Sequence, residues 1–127
     1  MSELSLKVLP DRFVLEHQAG SVFPEDDEWV ALVRAPEGLT ILRHASPFAP
    51  DGERWAGLYG DPHRARVAGV LASVVGPLAE AGIEALVSST FHADLVLVPE
   101  DRLELAVDVL REAGHPVDAK AIGGARR

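Results

Sequence analysis

The sequence predicts an α+β fold, and three observations carry that prediction. Two segments repeat their apolar residues with helical periodicity, and several short segments rich in branched and aromatic residues read as strands. Over residues 53–118 these segments follow one another as strand, helix, strand, strand, helix, strand. That order is the split β-α-β pattern of ferredoxin-like domains, which implies an antiparallel sheet with helices packed on one face.

The first half contains strand candidates only. Leu4–Val8, Arg12–His17, Trp29–Arg34 and Leu39–Arg43 are short and apolar, and turn material separates them: Leu9-Pro10-Asp11 and Ala35-Pro36-Glu37-Gly38. Residues 19–28 and 44–53 read as loops, and no long helix is expected before residue 53. Trp29 and Trp55 read as core or interface anchors, and the run Glu25-Asp26-Asp27-Glu28 as a solvated loop.

In the second half, Arg54–Tyr59 is a strand candidate, followed by a helix of about four turns with Val67, Val70, Leu71, Val74, Val75 and Leu78 on one face. Pro77 should kink its last turn, because the ring removes a backbone donor. Ile83–Ser88 and Leu95–Val98 are the next strands, and a second helix covers about Asp101–Ala113, with Leu103, Ala106, Val107 and Leu110 as its apolar face. Asp101 and Glu104 have the spacing of a capping box. The two helices end alike, in Leu78-Ala79-Glu80-Ala81-Gly82 and Leu110-Arg111-Glu112-Ala113-Gly114, so each glycine is expected in the left-handed position that closes a helix. A short strand follows at His115–Val117, and residues 119–127 read as a frayed tail.

Both alternating sets are apolar in Leu95-Val96-Leu97-Val98 and in Trp29-Val30-Ala31-Leu32-Val33, so both faces of these strands should be covered. Helices can cover one face. The other needs a second subdomain or a second chain.

Composition narrows the function. With 20 acidic against 12 basic residues and a net charge of −8, the chain should repel nucleic acid. It has no cysteine, so disulfides, thiolate metal sites and a cysteine nucleophile are excluded. The N-terminal residues lack the features of a signal peptide, and the apolar stretch 68–87 carries Glu80 and Glu84, which makes a soluble helix and strand the better reading than a membrane span. A cytoplasmic protein is expected. The histidines at 17, 44, 63, 92 and 115 show no zinc-like spacing, and His92 has no evident common geometry with Ser89, so neither a metal site, nor a cofactor, nor catalysis is expected.

Three stretches together resemble a known family. Gly69-Val70-Leu71-Ala72-Ser73, Pro77-Leu78-Ala79-Glu80-Ala81-Gly82-Ile83 and Ser89-Thr90-Phe91-His92-Ala93-Asp94-Leu95-Val96-Leu97-Val98 are similar to the tandem ACT-domain proteins of bacteria, related to the regulatory region of aspartate kinases and to CASTOR-type arginine sensors. Ser5–Phe13 and Val33–Leu39 also resemble that family's first half, so the likeness covers residues 4 to about 118. It implies tandem ACT-like units: an abbreviated one over residues 1–52, a complete one over 53–118, and a flexible tail over 119–127. It further implies a regulatory protein that binds a small molecule, an amino acid above all, and that forms a homodimer. On this likeness the backbone of Gly69, Val70 and Leu71 would receive a ligand carboxylate, and Asp94, with Ser89 and Thr90 orienting it, would hold the ligand's ammonium or guanidinium. Ala68 and Ala93 stand where family members usually carry a hydroxyl residue and a threonine. The residues alone leave two plainer readings open. Asp94 could be a turn residue, and the whole chain could be a ligand-free assembly module using its apolar sheet faces.

Overall fold

The computed structural model describes residues 4–20, 22–46, 48, 54–60 and 69–120. The strands are β1 (Leu6–Gln18), β2 (Trp29–Ala35), β3 (Gly38–His44), β4 (Trp55–Gly60), β5 (Leu86–Ser89), β6 (Asp94–Pro99) and β7 (Val117–Asp118); the helices are α1 (Val70–Glu80) and α2 (Leu103–Glu112). All seven strands join one sheet in the order β2-β3-β1-β4-β6-β5, with β7 paired to β1.

From β4 onward the chain has the ferredoxin-like order of elements, with one difference from the sequence-based expectation. In that fold the last strand pairs directly with the first. Here β1 lies between them, antiparallel to β4 (Leu6 opposite Gly60) and parallel to β7 (Leu6 opposite Val117). The N-terminal residues are therefore built into the sheet of the C-terminal half. The boundary expected at residues 52 and 53 lies outside the described residues.

The turn expected at Leu9-Pro10-Asp11 is not a turn. The strand continues from Leu6 to Gln18 and absorbs these residues as an irregularity: between Val8 and Arg12, β1 advances four positions while its partner moves from Leu58 to Ala56, two positions. Two extra residues preserve the alternation of faces, whereas one would invert it. Proline is tolerated there because a bulge requires no ladder donor. The Arg12 guanidinium spans the irregularity, donating to the Asp11 carbonyl at 3.3 Å and to Glu100 Oε2 at 3.0 Å.

The helices cover one face of the sheet. Val70, Val74 and Leu78 of α1 and Leu103, Ala106, Val107 and Leu110 of α2 pack with Leu6, Val8, Ala56, Leu58, Val96 and Val98 in one buried cluster. Pro77 sits inside α1, which continues to Glu80; Val67 lies outside the described residues. Helix α2 begins later than its sequence suggests, because Glu100–Arg102 forms a 3-10 turn, and Arg102 rather than Asp101 is the capping residue, with no side-chain cap. The expected capping box does not form.

The repeated helix endings have one physical basis. The amide of Gly82 donates to the Ala79 carbonyl and that of Ile83 to the Leu78 carbonyl; Gly114 donates to Arg111 and His115 to Leu110. Each is a Schellman closure, which needs a left-handed residue at the glycine, and the φ angles there are 75° and 100°.

Strand β6 is covered on both faces, as expected: Leu95, Val96, Leu97 and Val98 are all buried. Strand β2 is not. It forms one edge of the sheet, and Trp29, Val30 and Val33 are exposed. The apolar alternation reported burial correctly for β6 because it runs between β4 and β5 with helices above it. For β2 no described residue supplies the cover.

Candidate functional site

The β5–β6 hairpin answers why polar residues stand at the mouth of an apolar strand. Its turn is Phe91-His92, closed by the Thr90 amide donating to the Ala93 carbonyl at 2.7 Å. The Thr90 hydroxyl accepts from the Ala93 amide at 2.9 Å and is 3.0 Å from the Ala93 carbonyl oxygen, to which it donates; the Tyr59 hydroxyl lies 3.3 Å away. Thr90 is therefore engaged in shaping the turn. Phe91 and His92 are exposed at the tip, with their rings edge to face at 4.7 Å.

One step below the turn, Ser89 and Asp94 form a cross-strand pair. Asp94 is the first residue of β6 rather than a turn residue, and it is buried. Ser89 Oγ donates to Asp94 Oδ1 at 2.6 Å, a charge-assisted bond that fixes the carboxyl group. By alternation Asp94 shares a face with Val96 and Val98, the face that carries the helices.

Helix α1 begins at the same end of the sheet. Its capping residue Gly69 adopts φ 86° and ψ −10° and provides no side-chain cap. The helix's own first hydrogen bond runs from the Ser73 amide to the Gly69 carbonyl at 3.0 Å, so the amides of the first turn lack an intrahelical acceptor. Val70 is buried, Leu71 half-buried and Gly69 exposed. Two hydrogen bonds through His115 tie α1 to the residues that precede β1. The Ser73 carbonyl lies 2.9 Å from His115 Nε2, and His115 Nδ1 lies 3.0 Å from the Leu4 amide. A Cβ built on Gly60 would come within 3.0 Å of the Leu4 side chain and 3.7 Å of the Asp94 carbonyl oxygen. An amide can only donate, so His115 Nδ1 accepts, and the proton on Nε2 goes to Ser73.

His115 escaped the sequence reading, which treated it as a strand residue. Its one sequence signal is position: it follows Gly114 as Ile83 follows Gly82, where a Schellman closure turns a side chain back onto its helix. The first-turn amides of α1, which favour an anion, and the buried Asp94 carboxylate, which favours a cation, stand at the same end of the sheet. No helix among the described residues is long and apolar enough to cross a membrane.

Residues 52–112 match the ACT domain family. That segment, a little under half of the chain, is similar to ACT domains. The "Cytosolic arginine sensor for mTORC1 subunit 1" of Rattus norvegicus is 37% identical over 71 residues, which cover 54% of this chain and 22% of that protein. The human protein of the same name is 40% identical over 62 residues, covering 47% of this chain and 19% of its own length. The chain thus spans about a fifth of the length of these relatives. Among solved structures, a protein from Agrobacterium tumefaciens superposes with a TM-score of 0.81 at 26% identity, covering 94% of this chain and 96% of that one. Aspartokinase alpha and beta subunits superpose with a TM-score of 0.63 at 17% identity, covering 86% and 96%, a likeness of fold. The ACT match begins just before β4 and stops at the end of α2, so β1 lies outside it while pairing with its first strand.

Proposed function

We propose that this ACT-domain protein is a non-catalytic regulator that binds a free amino acid where α1 meets the β5–β6 hairpin. The observation that carries the proposal is the buried Asp94 carboxyl, held by Ser89, at the end of the sheet where α1 starts on a left-handed glycine without a side-chain cap. A zwitterion needs both signs of partner. The amides at Gly69, Val70 and Leu71 suit its carboxylate, and Asp94 suits an ammonium or guanidinium. Ser89 orients the carboxylate, while Thr90 acts through the turn it closes. The names of the relatives support arginine as the first ligand to test. A cytoplasmic location and a homodimer belong to the same proposal.

The test is thermal unfolding of the whole chain with each of the twenty amino acids. A ligand at a hundredfold excess over its Kd should stabilise by about 2.7 kcal/mol, a rise of several degrees for a chain of this size. Asp94→Asn keeps the shape of the side chain and should abolish the rise. If none of the twenty shifts the midpoint, the proposal fails.

A second reading is a ligand-free assembly module, supported by the exposed Trp29, Val30 and Val33 on edge strand β2. It expects self-association that Val33→Lys disrupts in sedimentation, with no response to any amino acid.

A further inference from the structure

Strands β2 and β5 are the two ends of the six-strand order, yet both line one cavity. A flat sheet would hold them roughly 24 Å apart, five spacings of about 4.8 Å. The cavity has a volume of about 230 Å³, and a sphere of that volume is only about 8 Å across. The sheet is therefore curled, with its helix-free face inside the curl. Gly57 sits on that inner face in β4, where a Cβ would lie 2.9 Å from Phe13 and 3.2 Å from Leu95. The missing side chain lets Phe13, Leu95, Leu97 and Leu42 close into a second buried cluster that floors the cavity.

The walls come from the two halves of the chain. Leu15, Ala31, Val33 and Thr40 stand on one side; Leu86, Val87 and Ser88 stand on the other. Every lining residue is uncharged, and each wall offers one hydroxyl, Thr40 and Ser88. A free amino acid would have to desolvate both charges there without a partner, which is prohibitive. The occupant must be neutral. Its size is bounded too: a cavity of roughly 150 Å³ accepts benzene, so this one admits a ring with a few further atoms. Leu15 and Val33 at the rim keep 46% and 57% of their surface exposed, which an apolar occupant would withdraw from water.

We propose that this cavity is a second binding site, for a small neutral molecule with an apolar ring or branched body and one hydroxyl or carbonyl group read by Thr40 and Ser88. It lies on the face of the sheet away from the helices and is independent of the proposed amino-acid site. An occupant would touch both walls at once and so fasten the N-terminal strands to the ACT half.

The experiment is a methyl NMR titration of the whole chain with benzyl alcohol and, separately, toluene as probes. The methyl signals of Leu15, Val33, Leu42, Leu86 and Leu97 should shift together and saturate, while those of Val70 and Leu71 stay still. Ala31→Phe, which fills the cavity, should abolish both responses; Ala31→Leu serves the same end if the larger ring unfolds the chain. Thr40→Val keeps the shape and should weaken benzyl alcohol about threefold to tenfold while leaving toluene unchanged. The proposal is overturned if the probes leave these methyls unmoved, if Ala31→Leu and Ala31→Phe bind both probes as the parent does, or if Thr40→Val alters neither probe. It is also overturned if the same methyls shift with protein concentration alone, because a second copy then occupies the face. Arginine titrated in parallel reports on the α1 site, so failure of one site is read separately from failure of the other.

Discussion

The imidazole of His115 joins two backbones that are far apart in sequence: its Nδ1 accepts the amide of Leu4, 111 residues away, at 3.0 Å, and its Nε2 meets the carbonyl of Ser73 at 2.9 Å. The ring is almost fully buried. It thereby fastens the start of β1, the first turns of α1 and the loop after α2 to one another. His115→Phe keeps most of the volume and removes both bonds, leaving a buried amide and carbonyl without their partner. The expected cost is about 2–4 kcal/mol, read as a lower midpoint in urea with an unchanged m-value.

Gly82 and Gly114 give a cleaner measurement. Both have positive φ, and a Cβ at either would meet no atom within 4 Å. Alanine there is opposed by backbone conformation alone, so Gly82→Ala and Gly114→Ala should each cost about 1 kcal/mol in chemical denaturation. A much larger loss at either would mean that the closure does more than end its helix.

The Ser89–Asp94 pair separates structure from binding. Ser89→Ala removes one charge-assisted bond at a partly exposed position and should cost about 1 kcal/mol. Asp94→Ala should cost more, because this carboxyl is buried within a strand. Asp94→Asn should stay folded, by circular dichroism, and still lose the amino-acid response in calorimetry.

The carboxyl of Asp26 titrates below its ordinary value of 3.8, chiefly because it accepts the Glu28 amide, and then through its hydrogen bond and charge pairing with Arg43 at 2.8 Å. A carboxylate whose folded value is depressed adds stability above its ordinary value and loses it as pH falls through the lowered one. Asp26→Asn should therefore be slightly less stable than the parent at pH 7. The difference should shrink and vanish as the solution is taken well below pH 3.8. Urea midpoints from pH 7 to pH 2 that showed a constant gap would mean that folding does not lower the Asp26 carboxyl at all.

Much of this fold is legible in sequence because local chemistry and tertiary structure agree. The L-x-E-A-G endings mark both helix closures, and the apolar faces of α1 and α2 are the buried ones. Legibility fails where a distant partner overrides a local signal. Pro10 and Asp11 read as a turn, yet β4 on one side, with Arg12 spanning the break, keeps β1 extended. Asp94 was legible as a candidate through its family pattern, whereas the use of the Thr90 hydroxyl in its own turn was not. The cavity was illegible altogether: Ala31, Thr40 and Ser88 carry no shared spacing, and only the curl of the sheet assembles them.

Because β1 sits between β4 and β7, Leu6 finds its two neighbours only at Gly60 and Val117. During synthesis the segment that emerges early must wait for about 110 further residues, on the order of ten seconds at cellular elongation rates. Through that interval its ladder groups face water or a chaperone. A protease that severs the chain between β3 and β4 would leave two fragments, each holding half of a seam that neither can complete alone.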